Sequence, residues 1–340
     1  METILFIAHT EIDGTLAKSA LDALSAATAT SASLAAGLVV GLIGENTQSA
    51  ANQIALCGAS KFLAVNGADF SQARYASDAA ASEALAKAAG ATIIIAPATS
   101  RANRALPGVA QRLGGRADTH AAGLGVIDGK LSVTRWYYRQ RMEAVVQRTT
   151  RPWIILVEAG SQPTWLGAAG TAVVETVAVV LPDSSKRTTV TGIRSPAADA
   201  QTIRPDADLL FVTGAGWTKK QADGQTHVKE AEEIIVGFLK KTRASLGSSK
   251  SLVDLGGEGE AVLPFLTHLN QVGQTGATPR HPKGLSTCCH GEEPHTVGWR
   301  FINERRAISL DPNCGWARGK ADVLYVADAF AVMKKVNEMA

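Results

Sequence analysis

The sequence predicts an α/β protein of two domains, each a mostly parallel sheet flanked by helices. Three observations lead there. Short apolar runs alternate with alanine-rich stretches through the first half, the pattern of parallel strands joined by helical crossovers. The alternation stops over 161–205, a stretch rich in Thr, Ser, Pro, Gly and Ala, and restarts after it. The chain has 340 residues, enough for two separate cores. The boundary is set near residue 200, giving domains 1–200 (with the linker) and 201–340.

Taken in order, "TILFIAHT" (3–10) reads as a strand and "TLAKSALDALSAATA" (15–29) as a helix. "GLVVGLIG" (37–44) is a strand, "TQSAANQIALCGA" (47–59) a helix and "KFLAVNG" (61–67) a short strand. "SDAAASEALAKAAG" (77–90) is a helix with Ser77 placed to cap it. "ATIIIAPATS" (91–100) is a buried strand, and 103–115 a helix with Pro107 near its first turns. "KLSVTRWYYRQRMEAVVQR" and "PWIILVEAG" are added strands, and "ETVAVVLP" (175–182) a return strand. In the second half "RPDADLLFVTGAGW" (204–217) contains a strong strand and 227–247 an amphipathic helix. Strand and helix signals follow at 307–312 and 321–336. The segment 270–298, with its glycines, prolines, three histidines and two adjacent cysteines, is too broken for a helix and too polar for a buried strand.

Composition excludes several classes. The net charge of +3 gives no case for nucleic acid. No apolar run reaches the length of a membrane span, and the N-terminus has no leader-like basic and apolar regions. Four cysteines in so long a chain do not form a disulfide framework. These features point to a cytoplasmic chain in a reducing compartment. There is no G-x-S-x-G, H-E-x-x-H or P-loop, so hydrolase and kinase chemistry have no residues to carry them.

Four features can carry chemistry. "FVTGAGWTKK" (211–220) runs a strand into a glycine turn, where backbone N–H groups can approach a phosphate; a plain tight turn needs the same residues. "LGSSKSLVD" (246–254) offers two hydroxyls and a lysine, read either as a solvated loop or as an anion contact. Cys288, Cys289 and Cys314 with His290 and His295 invite a metal or iron–sulfur site, but there is no C-x-x-C pair, and buried small cysteine is the commoner use. The segment 101–151 holds ten Arg or Lys against three acidic residues, a solvated face or a docking surface.

"QVGQTG" (271–276) resembles a hexapeptide of the electron transfer flavoprotein alpha subunit. "APAT" (96–99) with "LPGVAQRL" (106–113) is similar to that family's first-domain signature. "GSSKSLVD", "HGEEPHTVG" (290–298), "AISLDP" (307–312) and "ADVLYVAD" (321–328) follow its later motifs in order and spacing. "FVTGAGW" stands where the family has Ser-Gly-Gly-Arg-Gly, so Gly216 or Trp217 takes the place of the arginine.

The resemblance implies a Rossmann-like, FAD-binding C-terminal domain. In it Gln271, Gly273, Gln274, Thr275 and Gly276 form the flavin hexapeptide, with Gln274 and Thr275 at the isoalloxazine ring. His295 lies toward O2 of the ring. Gly216, Ser249 and Lys250 sit at the flavin, and His290 and Gly291 pass beside it. Ser309 and Asp322 belong to the nucleotide end. The family also implies an electron carrier without substrate turnover of its own, so no catalytic and no metal residues are assigned. Its partners are an electron transfer flavoprotein beta subunit, a flavin dehydrogenase as donor (methylated-amine or acyl-CoA type) and a quinone oxidoreductase as acceptor. Nucleic acid and direct membrane insertion are excluded. The alternative is a scaffold subunit of an oxidoreductase complex whose flavin site is lost or altered. Lysine supplies charge at position 250 without the planar fork of arginine.

Overall fold

A computed structural model describes residues 2–138, 142–192, 203–204, 206–254, 261–273, 276–289, 301–314, 317 and 320–340. The chain divides into two compact units, Met1–Ile193 and Arg194–Ala340.

The first unit is built on β1 (Thr3–His9), β2 (Gly37–Gly44), β3 (Lys61–Asn66), β4 (Ile93–Pro97), β5 (Arg116–Ile127), β6 (Lys130–Tyr137), β7 (Met142–Val146), β8 (Trp153–Val157) and β9 (Val174–Thr176). Their order across the sheet is β7-β6-β5-β8-β4-β1-β2-β3-β9. Among the described residues of this sheet only the β5–β6 and β6–β7 pairings are antiparallel. The central strands β4 and β8 are buried at every residue, as their unbroken apolar runs require when helices cover both faces. Helix α1 (Lys18–Leu34) lays Ala20, Ala23, Leu24 and Ala27 on one face. After the short α2 (Gln48–Gln53), helices α3 (Tyr75–Ala89) and α4 (Ser100–Arg112) cover the other. Alanine at these contacts lets the helices approach the sheet closely.

Several element ends differ from the sequence reading. Ser77 does not cap α3: the helix begins after Arg74, whose carbonyl accepts from the Asp78 N–H at 2.9 Å, and Ser77 is buried in the first turn. Pro107 lies in the middle of α4 rather than near its start, because Thr99 caps the helix by accepting from the Ala102 N–H at 3.1 Å. Helix α2 stops early, and Asn52 turns its side chain to the crossing segment, accepting from the Ala172 N–H at 3.1 Å. The twelve-residue β5 has no counterpart in the sequence reading. Its low-propensity sequence is bent by register shifts near Ala121.

The second unit carries β10 (Leu209–Thr213), β11 (Ser245–Ser248), β12 (His281–Cys289), β13 (Ile302–Ser309) and β14 (Val323–Val326), all parallel, in the order β11-β10-β12-β13-β14. Helices α5 (Val228–Thr242) and α7 (Ala329–Met339) pack against one face, and α6 (Lys250–Asp254) is a short turn of helix after β11.

The largest correction concerns 270–298. Its part His281–Cys289 is the central strand of this sheet, bonded to β10 on one side and β13 on the other. Two of its polar residues are satisfied inside, while Ser286 Oγ is buried without a hydrogen-bond partner among the described residues. Thr287, fully buried, donates its hydroxyl to the Val212 carbonyl at 3.0 Å and accepts from Trp217 Nε1 at 2.7 Å. His281 pairs through Nε2 with the Arg204 carbonyl at 2.9 Å. Hydrogen-bonded polar side chains make such a strand possible where apolar patterning does not reveal it.

Candidate functional site

Along the second sheet the chain goes from β10 to β11 on one side and then to β12 on the other. The carboxyl ends of β10 and β12 therefore form a topological switch point, the place where open α/β sheets bind ligands. The residues expected from the sequence are best placed against that edge.

After β10 the chain turns through Ala215–Thr218, tied to β12 by the Gly214 N–H donating to the Thr287 carbonyl at 2.6 Å. Gly216 lies in this turn and is buried. Trp217 is not at the surface in the manner of an arginine reaching for a ligand. It is fully buried, packs on Phe330 with ring centroids 4.6 Å apart and bonds Thr287.

After β11, Ser249 donates its N–H to the Thr213 carbonyl at 2.9 Å, and its buried hydroxyl accepts from the Leu252 N–H at 3.3 Å. It thus starts α6 as a cap. Lys250 follows, its Nζ 2.7 Å from Asp254, which also meets His268 Nε2 at 3.0 Å. Hydrogen bonds from Lys250 first and then His268 hold the Asp254 carboxyl below its usual range. The cation at this edge is therefore positioned by a carboxylate.

The hexapeptide docks beside β11. Val272 donates its N–H to the Ser248 carbonyl at 3.0 Å, and a bridge joins Ser248 to Gln271. Ala277 then returns to Gln271, donating to its carbonyl at 2.9 Å, and Gly273 donates to Ala277 at 2.9 Å. These bonds tie Ala277 back onto Gln271 and Gly273. Gly273 has φ +114°, which favours glycine. At Gly276 a Cβ would stand 2.2 Å from the Gln271 carbonyl oxygen, so only glycine fits. Gln274, Thr275, His290, Gly291 and His295 lie outside the described residues.

Ser309 ends β13 at the same edge, buried, its hydroxyl accepting from the Asp311 N–H at 3.2 Å. Asp322 is not at this edge. It precedes β14, roughly 10 Å of strand from the carboxyl end, where Arg305 gives it a backbone N–H at 2.7 Å and a guanidinium at 2.8 Å. The acidic side chain at the carboxyl end of β14 is Asp328, which caps α7 by accepting from the Phe330 N–H at 2.8 Å. Both aspartates belong to "ADVLYVAD", of which the sequence analysis singled out Asp322.

The edge has the chemistry that a flavin nucleotide requires. Ser248 Oγ is buried there with no hydrogen-bond partner among the described residues, a hydroxyl that a ligand can satisfy. Gly273 and Gly276 leave the backbone beside β11 without side chains, and Lys250 offers charge.

Two mostly parallel sheets flanked by helices, the second with its turns gathered at a switch point, define an α/β protein. The comparison with known families is more specific. The model of the electron transfer flavoprotein domain matches residues 4–182, more than half of the chain, and the chain belongs to that family. The match runs from β1 through β9 to the segment that follows it. Proteins of the family serve electron transport, generally bind flavin, and work with another subunit and with oxidoreductases. No curated protein matches the chain. Among the described residues no helix is long and apolar enough to cross a membrane.

Proposed function

We propose that this chain is the FAD-carrying alpha subunit of a heterodimeric electron transfer flavoprotein, with the flavin held by the C-terminal domain, 201–340. The observation that carries the reading is the gathering of Gly216, Ser249, Lys250, Gln271, Gly273, Gly276 and Ser309 at or beside one carboxyl edge. FAD, when bound, supplies the capacity to take and give single electrons. The chain's own residues hold and orient it. Ser248 and Ser249 offer hydroxyls, the 271–277 loop offers backbone, and Lys250 offers a positive charge fixed by Asp254. Gln274 and Thr275 at the ring, His295 toward O2, and His290 and Gly291 alongside complete the site that the family resemblance implies. Asp328 suits the nucleotide end better than Asp322, because it stands at the ligand-binding edge. The beta subunit closes the pocket, a dehydrogenase donates electrons and a quinone oxidoreductase accepts them, in the cytoplasm.

The test is the visible spectrum of the chain co-purified with its beta subunit. Flavin peaks at about 375 and 450 nm are expected, and their absence would favour the second reading, a scaffold subunit without flavin. Burial of Trp217 where the family has an arginine is the observation on that side. Gly276→Ala supplies the site-specific arm. Its methyl meets the Gln271 carbonyl, so flavin content should fall at least about tenfold, a change of about 1.4 kcal/mol in binding, while the second unit keeps its melting temperature to within a few degrees. Full flavin retention in the variant would remove the 271–277 loop from the site.

A further inference from the structure

Asp254 ends α6 with its two carboxylate oxygens committed to different segments. Lys250 and Asp254 stand at i and i+4, so their side chains share one face of the helical turn, and Lys250 Nζ lies 2.7 Å from Asp254 Oδ2. The other oxygen, Oδ1, meets His268 Nε2 at 3.0 Å. His268 opens a short 3₁₀ turn, His268–Asn270, that leads directly into Gln271.

That turn is held in place by its neighbours. The Thr267 hydroxyl accepts from the Leu269 N–H at 3.2 Å, and Asn270 Oδ1 accepts from the Thr267 N–H at 3.1 Å. The Asn270 amide donates to the Leu246 carbonyl of β11 at 3.3 Å, and the Gln271 N–H donates to the His268 carbonyl at 3.2 Å. Asp254 therefore joins the two segments that carry the candidate flavin residues, Ser249–Lys250 and 271–277.

The charge of this cluster changes in one place. Hydrogen bonds from Lys250 first and then His268 hold the Asp254 carboxyl below its usual range, so it stays ionised while an imidazole titrates. An ammonium and a carboxylate cancel, and the cluster is neutral with His268 neutral and positive with it protonated. Along α6, β11 and 261–273 the titratable side chains are Lys250, Asp254 and His268 alone. The turn Ala215–Thr218, against which α6 packs, adds none. The His268 side chain is 69% exposed, so it exchanges protons freely with solvent.

We propose that His268, acting through Asp254, makes the hold on FAD respond to pH: protonated, it leaves the Lys250–Asp254–His268 triad positive and tightens the flavin nucleotide; neutral, it loosens it. The inference rests on the flavin reading above and concerns the regulation of that site. The diphosphate of FAD keeps its negative charge through the range in which imidazole titrates. By linkage, FAD affinity then rises as His268 gains its proton, and FAD binding draws a proton in. His268 is thus a positioning residue, which sets the charge of the edge through its partner.

The test is calorimetric titration of the chain with its beta subunit, stripped of flavin, with FAD at about pH 6 and about pH 8. Low ionic strength is used because exposed charges are screened by salt. The natural chain should bind FAD about threefold more tightly at the lower pH, the scale of one exposed charge. The heat should depend on the buffer near neutrality, as proton uptake requires. His268→Gln keeps an N–H donor for Asp254 without a titrating proton, and should lose both the pH difference and that uptake. His268→Lys fixes the charge, and should bind FAD at the higher pH about as tightly as the natural chain does at the lower. A purely structural role would shift every affinity alike and leave the ratio between the two pH values unchanged. The same ratio in the natural chain and in His268→Gln would overturn this proposal and leave the flavin reading standing. No FAD binding by any form at either pH would overturn both.

Discussion

Replacing Asp118 with Ala is expected to destabilise the first unit by about 3–5 kcal/mol, the scale for a buried charge cluster losing one partner. Asp118 is on β5 and almost fully buried. Its carboxylate accepts from Trp153 Nε1 at 2.8 Å and Arg135 at 2.8 Å, and from Arg148 in a two-point contact. These partners come from β8, β6 and the segment after β7, so one side chain joins the antiparallel ribbon to the central sheet. Removing it strands an indole N–H and two guanidinium groups. Urea unfolding of the full chain, with the first unit's transition assigned by limited proteolysis, measures the loss. A loss below about 1 kcal/mol, the value of an exposed pair, would show that the ribbon does not depend on this cluster.

The same residue sets a pH dependence. Burial opposes its ionisation but is outweighed by the hydrogen bonds from Arg148 and Trp153 and by the charges of Arg148 and Arg135, so its carboxyl is held below the ordinary value. A depressed folded-state pKa gives stability that is present above the unfolded-state value and lost as pH falls through the folded one. Asp118→Asn should therefore be less stable at neutral pH, and should lose less on acidification than the natural chain.

Trp217→Ala is expected to cost the second unit about 3–5 kcal/mol. The indole is fully buried against Phe330 and is the hydrogen-bond donor to Thr287. Its removal opens a cavity under the carboxyl edge and strips a partner from the central strand. Trp217→Phe keeps most of the volume and should lose about 1–2 kcal/mol through the lost hydrogen bond to the Thr287 hydroxyl, which keeps its bond to Val212. Trp217→Arg should be at least as damaging as alanine, because the position holds no room or partner for a charge. Denaturant unfolding and flavin content of the three variants separate these effects. Tolerance of arginine with flavin retained would mean that position 217 does face the ligand.

Trp217 also shows where sequence reasoning ends. A tryptophan beside glycines in a turn can point to a ligand or into a core, and only the partners Thr287 and Phe330 decide it. The strands with unbroken apolar runs, β1, β2, β4 and β8, were legible because burial on both faces leaves one signature. The strand β12 was not, since Ser286, Thr287 and His281 are buried by virtue of tertiary contacts. The strand β5 was hidden by weak propensity and bulges. Of the candidate site, the order of motifs was readable, and it singled out Ser249, Lys250 and the segment 271–276, whose described residues the fold brings to or beside one carboxyl edge. That Asp322 lies away from the carboxyl edge depends on the register of β14 against β13, which no local pattern contains. The cap of α3 failed for a related reason, since Ser77 and Asp78 were drawn into the first turn, where Asp78 meets Arg101.

The short edge strand β9 has a mechanical meaning. The chain leaves β8, crosses over α1 and α2, and lies down beside β3 for three residues before it runs on toward the second unit. Three paired positions, the Lys61–Glu175 ion pair at 2.7 Å and the Val177 N–H on Ala64 anchor it there. Load on the chain beyond Lys186 would first meet the Lys186–Asp69 ion pair and the packing of Val179 and Leu181 on the first core, and would reach this outermost strand after them. It would peel bond by bond, while β1, β4 and β8 stay clamped from both sides. The edge acts as a fuse that yields under load and spares the strands at the centre of the first sheet.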